Sequence, residues 1–174
     1  METKQEFGEI VEQYTDFVYN VAYRMMKDPQ EAEDATQEAF IAAYKAWDRF
    51  RGDAVVSTWL YRIATNVCLM RIRKMKRAPI LSDTGYEDRE VPDWGENPER
   101  WTLNQELKNT LAEGISRLPG DLRAAVVIRD VQGLENDEAA EALGITISAL
   151  KARLHRGRVI LRKYLQGYVT IQSD

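Results

Sequence analysis

Several things are nearly absent from this chain of 174 residues. It has one cysteine, Cys68, and one histidine, His155. No internal disulfide can form, and a Cys/His metal cluster is excluded. Cys68 lies between Val67 and Leu69, the setting of a small core side chain more than of a reactive thiol. His155 has no carboxylate or nucleophile patterned around it, so general acid–base work is not indicated. There is no GxxxxGK[ST] phosphate loop, and no apolar run long enough to cross a bilayer. The opening METKQEFGEI lacks the basic-then-apolar layout of a signal peptide, so the cytoplasm is the expected location. Strand-like alternation of useful length is missing too. Three of the five prolines, Pro79, Pro92 and Pro98, lie close together.

What is present is charge, unevenly placed. With 24 Lys+Arg against 28 Asp+Glu the net charge is −4, which at first argues against nucleic acid. Segment by segment, residues 1–48 carry −7, 49–77 carry +7, 78–121 carry −6, 122–148 carry −3 and 149–174 carry +5. The two basic blocks can each meet phosphate. The acidic blocks repel the same phosphates, so the isolated chain should bind DNA poorly.

Helical periodicity dominates. Phe7, Ile10, Val11, Tyr14, Phe17, Val18, Val21, Ala22 and Met25 predict one long amphipathic helix. Asp28-Pro29-Gln30-Glu31 ends it and starts the next, with Asp28 as cap and Pro29 in the first helical position. That second helix runs to about Trp47, with an alanine-rich apolar side and Asp34, Gln37, Glu38, Ile41 and Lys45 opposite. After a loop holding Gly52, a third helix spans about Thr58 to Arg77. Leu60, Ile63, Ala64 and Val67 are expected inside, and Arg62, Thr65, Asn66 and Arg73 outside. Periodicity then fails over residues 78–99, which read as a flexible acidic linker. It resumes at Trp101, Leu103, Leu107, Leu111 and Ile115, and three more helices follow: about Asp121–Val131, Asp137–Leu143 and Ile147–Leu165. The fold class is all-α: two small helical domains, 1–77 and 100–168, joined by the 78–99 linker and followed by a tail, 169–174.

The last two helices, joined through Gly144-Ile145-Thr146, have the layout of a helix-turn-helix. Ile147, Leu150, Leu154, Leu161 and Leu165 form the stripe that packs. Lys151, Ala152, His155 and Arg156 flank it, where they can reach a major groove, and Arg153, Arg158, Arg162 and Lys163 can add phosphate contacts. A solvated basic helix is the plain alternative; the glycine turn beside it favours DNA. In the first domain, Phe50, Arg51, Trp59, Tyr61, Arg62, Thr65, Asn66 and Arg73 mix aromatics with cations. Unstacked bases need flat partners and their phosphates need positive charge. Asn66 can read the edge of a base taken out of its stack. Core packing of the aromatics is the competing account. Asp34, Gln37, Glu38 and Ile41 make an acidic face with an apolar spot, suited to water or to a basic protein partner; spacing does not decide between them.

Three stretches, in order, resemble bacterial sigma factors of the extracytoplasmic-function (ECF) group of the sigma-70 family. Glu31 to Phe40 resembles the polymerase-docking helix. Phe50-Arg51-Gly52-Asp53 followed by Ser57 to Ala64 resembles the promoter-melting segment, and Gly144 to Arg158 resembles the minus-thirty-five reader. The resemblance spans nearly the whole chain. It implies a transcription-initiation factor and not an enzyme, one that lends promoter recognition and DNA opening to RNA polymerase. Partners would be core RNA polymerase (beta-prime and beta subunits), promoter DNA and an anti-sigma factor that holds the free protein back. No cofactor, metal or small-molecule ligand is expected, nor membrane insertion. Asp34, Gln37, Glu38 and Ile41 would dock on the clamp coiled coil. Ala46, Phe50 and Asn66 would hold a base flipped from the minus-ten element. Trp59 and Arg62, with Arg51, Thr65 and Arg73 nearby, would support strand opening. Lys151, Ala152, His155 and Arg156 would face the minus-thirty-five element, and the linker would thread toward the RNA exit channel. Three positions depart from the group's pattern: Val56, where an aromatic is usual; Ala152, where a hydroxyl is usual; and Glu135, a poor helix cap that leaves the role to Asn136.

Other readings compatible with the residues are a stand-alone helix-turn-helix regulator, which should be dimeric and bind duplex DNA unaided, and a sigma mimic that sequesters an anti-sigma factor. The intact basic blocks speak against the mimic.

Overall fold

A computed structural model describes residues 2–50, 52, 55–75 and 105–172. The expected linker, 78–99, and Arg51 lie outside the described residues. Within them the chain is helical and contains no strand. The helices are α1 (Glu2–Met26), α2 (Pro29–Ala46), α3 (Val56–Met75), α4 (Gln105–Ser116), α5 (Gly120–Val126), α6 (Asn136–Leu143) and α7 (Ile147–Gln172).

The sequence signals act as expected at the α1–α2 joint. Asp28 is extended, and its carboxylate accepts from the Glu31 N–H at 3.0 Å, with Pro29 opening the helix. Lys27 just before it adopts φ 59° to make the reversal. The alanines of α2 explain how α1 and α2 approach so closely. Ala32, Ala35, Ala39 and Ala43 are all buried, against Val18, Val21, Ala22 and Met25 of α1. Leu60, Ala64 and Val67 of α3 complete that core. α2 gives way at Trp47–Arg49 to one 3-10 turn, which tightens the chain before the loop.

The second half packs α5 and α6 against α7. Leu122, Val126, Ile128, Leu150, Leu154, Ile160 and Leu161 are buried together. Gly157, mid-helix in α7, has a packing reason: a Cβ there would meet Val126 Cγ2 at 2.9 Å. Gly144 ends α6 in the left-handed region, φ 67°, where glycine carries no Cβ penalty. The Thr146 hydroxyl accepts from the Ala149 N–H at 3.1 Å and starts α7.

Four details differ from expectation. Asn136 does not cap α6; Glu135 holds the cap position without a side-chain bond, and Asn136 Oδ1 instead accepts from Arg129 Nε at 2.8 Å. α5 does not run regularly to Val131 but widens into a π-helical turn over Val127–Val131. Ile147, expected in the packing stripe of α7, stands exposed, and Ile160 takes an inner place. α7 continues to Gln172 instead of ending near Leu165, so the expected tail begins inside a helix.

The two halves also touch. α6 and α5 lie on α3, and α4 lies on α1.

Candidate nucleic-acid interface

The acidic face of α2 is organised by one cation. Glu31, Asp34 and Glu38 follow at helical spacing. Arg71 of α3 reaches across to all three, with Nη1 donating to Glu38 at 2.8 Å and Nη2 donating to Glu31 at 3.0 Å, while Asp34 lies 3.8 Å away. The hydrogen bonds it donates to Glu38, and then to Glu31, hold the guanidinium pKa above its usual value. Gln37 and Ile41 stand exposed beside this cluster, Ile41 with 57% of its surface open. The four expected docking residues therefore share one face, and three partly exposed carboxylates on it are fixed in place. In sequence, Arg71 is one of the cations of the basic 49–77 block. Its place one α3 turn from Val67 is the signal that could have assigned it.

The aromatics around the α2–α3 loop form one cluster. Trp47 and Phe50 stack with ring centres 5.5 Å apart at 11°. Trp59 closes on both, 4.8 Å from Phe50 and 5.9 Å from Trp47. Phe7, buried in α1, packs on Trp47 from below. The cluster is half-buried: anchored in the core on one side and open on the other. Core packing thus accounts for the buried side of these aromatics. Trp47, read only as the end of an apolar stripe, is its centre, and Ala46 beside it is half-buried.

From Trp59 a stripe of α3 continues through Arg62, Asn66 and Arg73, all three exposed. Thr65 is not on that stripe. One residue is about 100° of helix, and Thr65 faces the second half of the molecule, 1% exposed, with a hydroxyl that finds no partner. The expected outward position of Thr65 is therefore corrected. It shares its face with Tyr61, which is buried, and with Cys68. Tyr61 OH meets Gln132 Oε1 at 3.3 Å, and burial pushes the phenol pKa up to about 12. Burial likewise pushes the Cys68 thiol up to about 12, so little thiolate forms at neutral pH.

On α7, Lys151, Ala152 and Arg156 are exposed and His155 is half-buried beside them. Their spacing puts all four on one face. Arg158 is not available for phosphate in the expected way, because it holds Asp130 through two bonds, Nη2–Oδ1 at 2.6 Å and Nε–Oδ2 at 3.0 Å. That pair ties α7 to the π-helical turn.

These surfaces define a two-part helical protein with an aromatic–cation helix in one half and a helix-turn-helix in the other. Comparison with known proteins agrees. Residues 10–78 match the Sigma-70 region 2 model and residues 108–161 match the Sigma-70 region 4 model. The ECF RNA polymerase sigma factor SigW of Bacillus subtilis is 41% identical over 92% of this chain and 89% of its own length. The RNA polymerase sigma-H factor of Pseudomonas aeruginosa is 36% identical over 94% and 88%. In fold, the chain is similar to CnrH, solved with the cytosolic domain of CnrY (TM-score 0.66, 24% identity, 94% and 90% covered). It is also similar to RpoE of Bartonella quintana, solved with the anti-sigma factor NepR (TM-score 0.67, 21% identity, 93% and 98% covered). The chain belongs to the ECF group of the sigma-70 family of RNA polymerase sigma factors. Sigma factors are transcription-initiation factors. No described helix is long and apolar enough to cross a membrane.

Proposed function

We propose that this sigma factor docks on core polymerase through the α2 face of Asp34, Gln37, Glu38 and Ile41, and opens promoter DNA with the aromatic–cation surface of α3. The observation that carries the reading is the half-open Trp47–Phe50–Trp59 cluster next to the exposed stripe Arg62, Asn66 and Arg73. Stacked rings offer a platform for an unpaired base, the amide of Asn66 can read its edge, and the arginines hold the strand's phosphates. Arg71 presents three carboxylates at fixed positions to a basic partner, which favours encounter and register more than raw affinity. The α7 face of Lys151, Ala152, His155 and Arg156 reads the minus-thirty-five element in the major groove. Polymerase holds both halves at the promoter spacing, so two weak contacts act as one strong one. Opening follows from trapping an unstacked base, without nucleotide hydrolysis. The domain limits 1–77 and 100–168, with 78–99 as an acidic connector through polymerase, belong to the same reading. So does regulation by an anti-sigma factor in the cytoplasm, near the membrane if that factor is anchored there. The anti-sigma factor solved with RpoE of Bartonella quintana supports such a partner.

Run-off transcription with purified core polymerase on genomic promoter fragments tests it. Specific initiation should need this protein and weaken in both Asn66→Ala and Arg156→Ala. If core polymerase neither binds the protein nor initiates with it, the reading fails.

A further inference from the structure

The packing stripe of α7 begins later than its apolar pattern implies. Ile147 and Leu154 lie about two turns apart and point the same way from the helix axis. Leu154 meets the body and is 2% exposed, whereas Ile147 is 45% exposed. The first turn of α7 therefore projects beyond the surface on which the rest of the helix packs, with Thr146, Ile147 and Ser148 all exposed. Ile147 is also the one large apolar side chain exposed among the described residues of the second half; Tyr23, Ile41, Tyr44, Val55 and Met70 belong to the first.

This turn is held in place. Gly144 ends α6 in the left-handed region, and the Thr146 hydroxyl is committed to the Ala149 N–H. Ile147 is β-branched, so its χ1 has one strongly preferred setting in a helix. A stiff apolar group thus stands one turn ahead of Lys151 on the same face. A single exposed isoleucine ordinarily needs no explanation, but this one sits where a helix-turn-helix meets DNA. There, the N-terminal residues of the second helix contact base edges. Ile147 has neither donor nor acceptor. Against the major-groove edge of guanine, adenine or cytosine it would strip water from polar groups and bond to none of them. Thymine presents an apolar group in that groove, its C5-methyl.

We propose that Ile147 is a specificity-determining residue whose side chain packs on the C5-methyl of a thymine in the minus-thirty-five element. The proposal rests on the reading of α7 as the helix that enters the major groove. It adds an apolar base contact to the face of Lys151, Ala152, His155 and Arg156.

Deoxyuridine gives a direct test, because it pairs as thymidine does and lacks only that methyl. The full-length protein, at low salt where phosphate contacts are strongest, is used to select duplexes from a pool with a randomised segment. Each thymine of the selected duplex is then replaced singly by uracil, and binding is read by fluorescence anisotropy. At one position the wild type should lose about fourfold in affinity, the share of one buried methyl-sized group. Ile147→Ala should bind the thymine duplex more weakly and lose the uracil penalty at that position. Its salt dependence should match the wild type, since no phosphate contact is removed. Ile147→Val, which keeps the branch, should retain part of the penalty, and carries the comparison if circular dichroism shows Ile147→Ala to be unfolded. Selection of no sequence by the wild type sinks the reading of α7, and the proposal with it. If a sequence is selected but contains no thymine at which uracil weakens binding, the proposal is overturned and the reading of α7 stands. The same holds if the penalty persists undiminished in the variants.

Discussion

Replacing Arg123 should show how the two halves are held. Its side chain is 6% exposed, yet no carboxylate pairs with it among the described residues. Nε and Nη2 donate to the Leu118 carbonyl at 3.2 and 2.9 Å, and Nη1 donates to the Met25 carbonyl at 2.8 Å. Met25 is in the last turn of α1, and Leu118 follows the end of α4. The guanidinium thus sits at two helix C-terminal ends, where carbonyls lack helical partners and a cation is favoured. Burial brings its pKa down to about 10, corresponding to a cost of about 3 kcal/mol for keeping it charged. Removing the arginine recovers that cost. It also strands two buried carbonyls, at about 1–3 kcal/mol each, and in alanine it forfeits the packing of the stem, about 2 kcal/mol more. Arg123→Ala should therefore destabilise by about 3 kcal/mol. Arg123→Met, which keeps the stem, should cost about 1 kcal/mol. Arg123→Lys should not restore the wild type, because a point charge cannot bridge two carbonyls as a planar fork does. Urea unfolding followed by circular dichroism measures all three. Wild-type stability in Arg123→Ala, or full rescue by lysine, would refute the reasoning.

Arg71→Ala should lower stability by only about 1 kcal/mol, since its partners are partly exposed, yet weaken core polymerase binding through misplaced Glu31, Asp34 and Glu38; titration calorimetry and a urea midpoint separate the two effects. Gly157→Ala should cost about 1–3 kcal/mol despite alanine's better helix propensity, because Val126 stands at 2.9 Å; an unchanged melting temperature would contradict the close approach. Above pH 10 an unfolded Tyr61 ionises while the folded phenol holds its proton to about 12. The folded state then binds more protons, its Tyr61 contribution is intact below pH 10, and it is lost as pH rises toward 12. Tyr61→Phe should flatten the alkaline fall in stability measured by chemical denaturation.

Much of this protein is legible without a structure, because its signals are local. The Asp28-Pro29 start of α2, the alanine stripe beneath its acidic face, the glycine turn at Gly144 and the Thr146 cap all act within one or two turns of chain. Helical period alone collects Asp34, Gln37, Glu38 and Ile41 on one face, and Lys151, Ala152, His155 and Arg156 on another. Tertiary structure decided what depends on distant partners. Arg71 finds its carboxylates more than a helix away in sequence, Arg158 is claimed by Asp130, and Trp47 becomes a stacking centre only when α3 brings Trp59 to it. Thr65 reads as outward from the first domain alone. It is buried because a second domain packs there, and no periodicity within α3 carries the shape of a surface folded from residues 105–172.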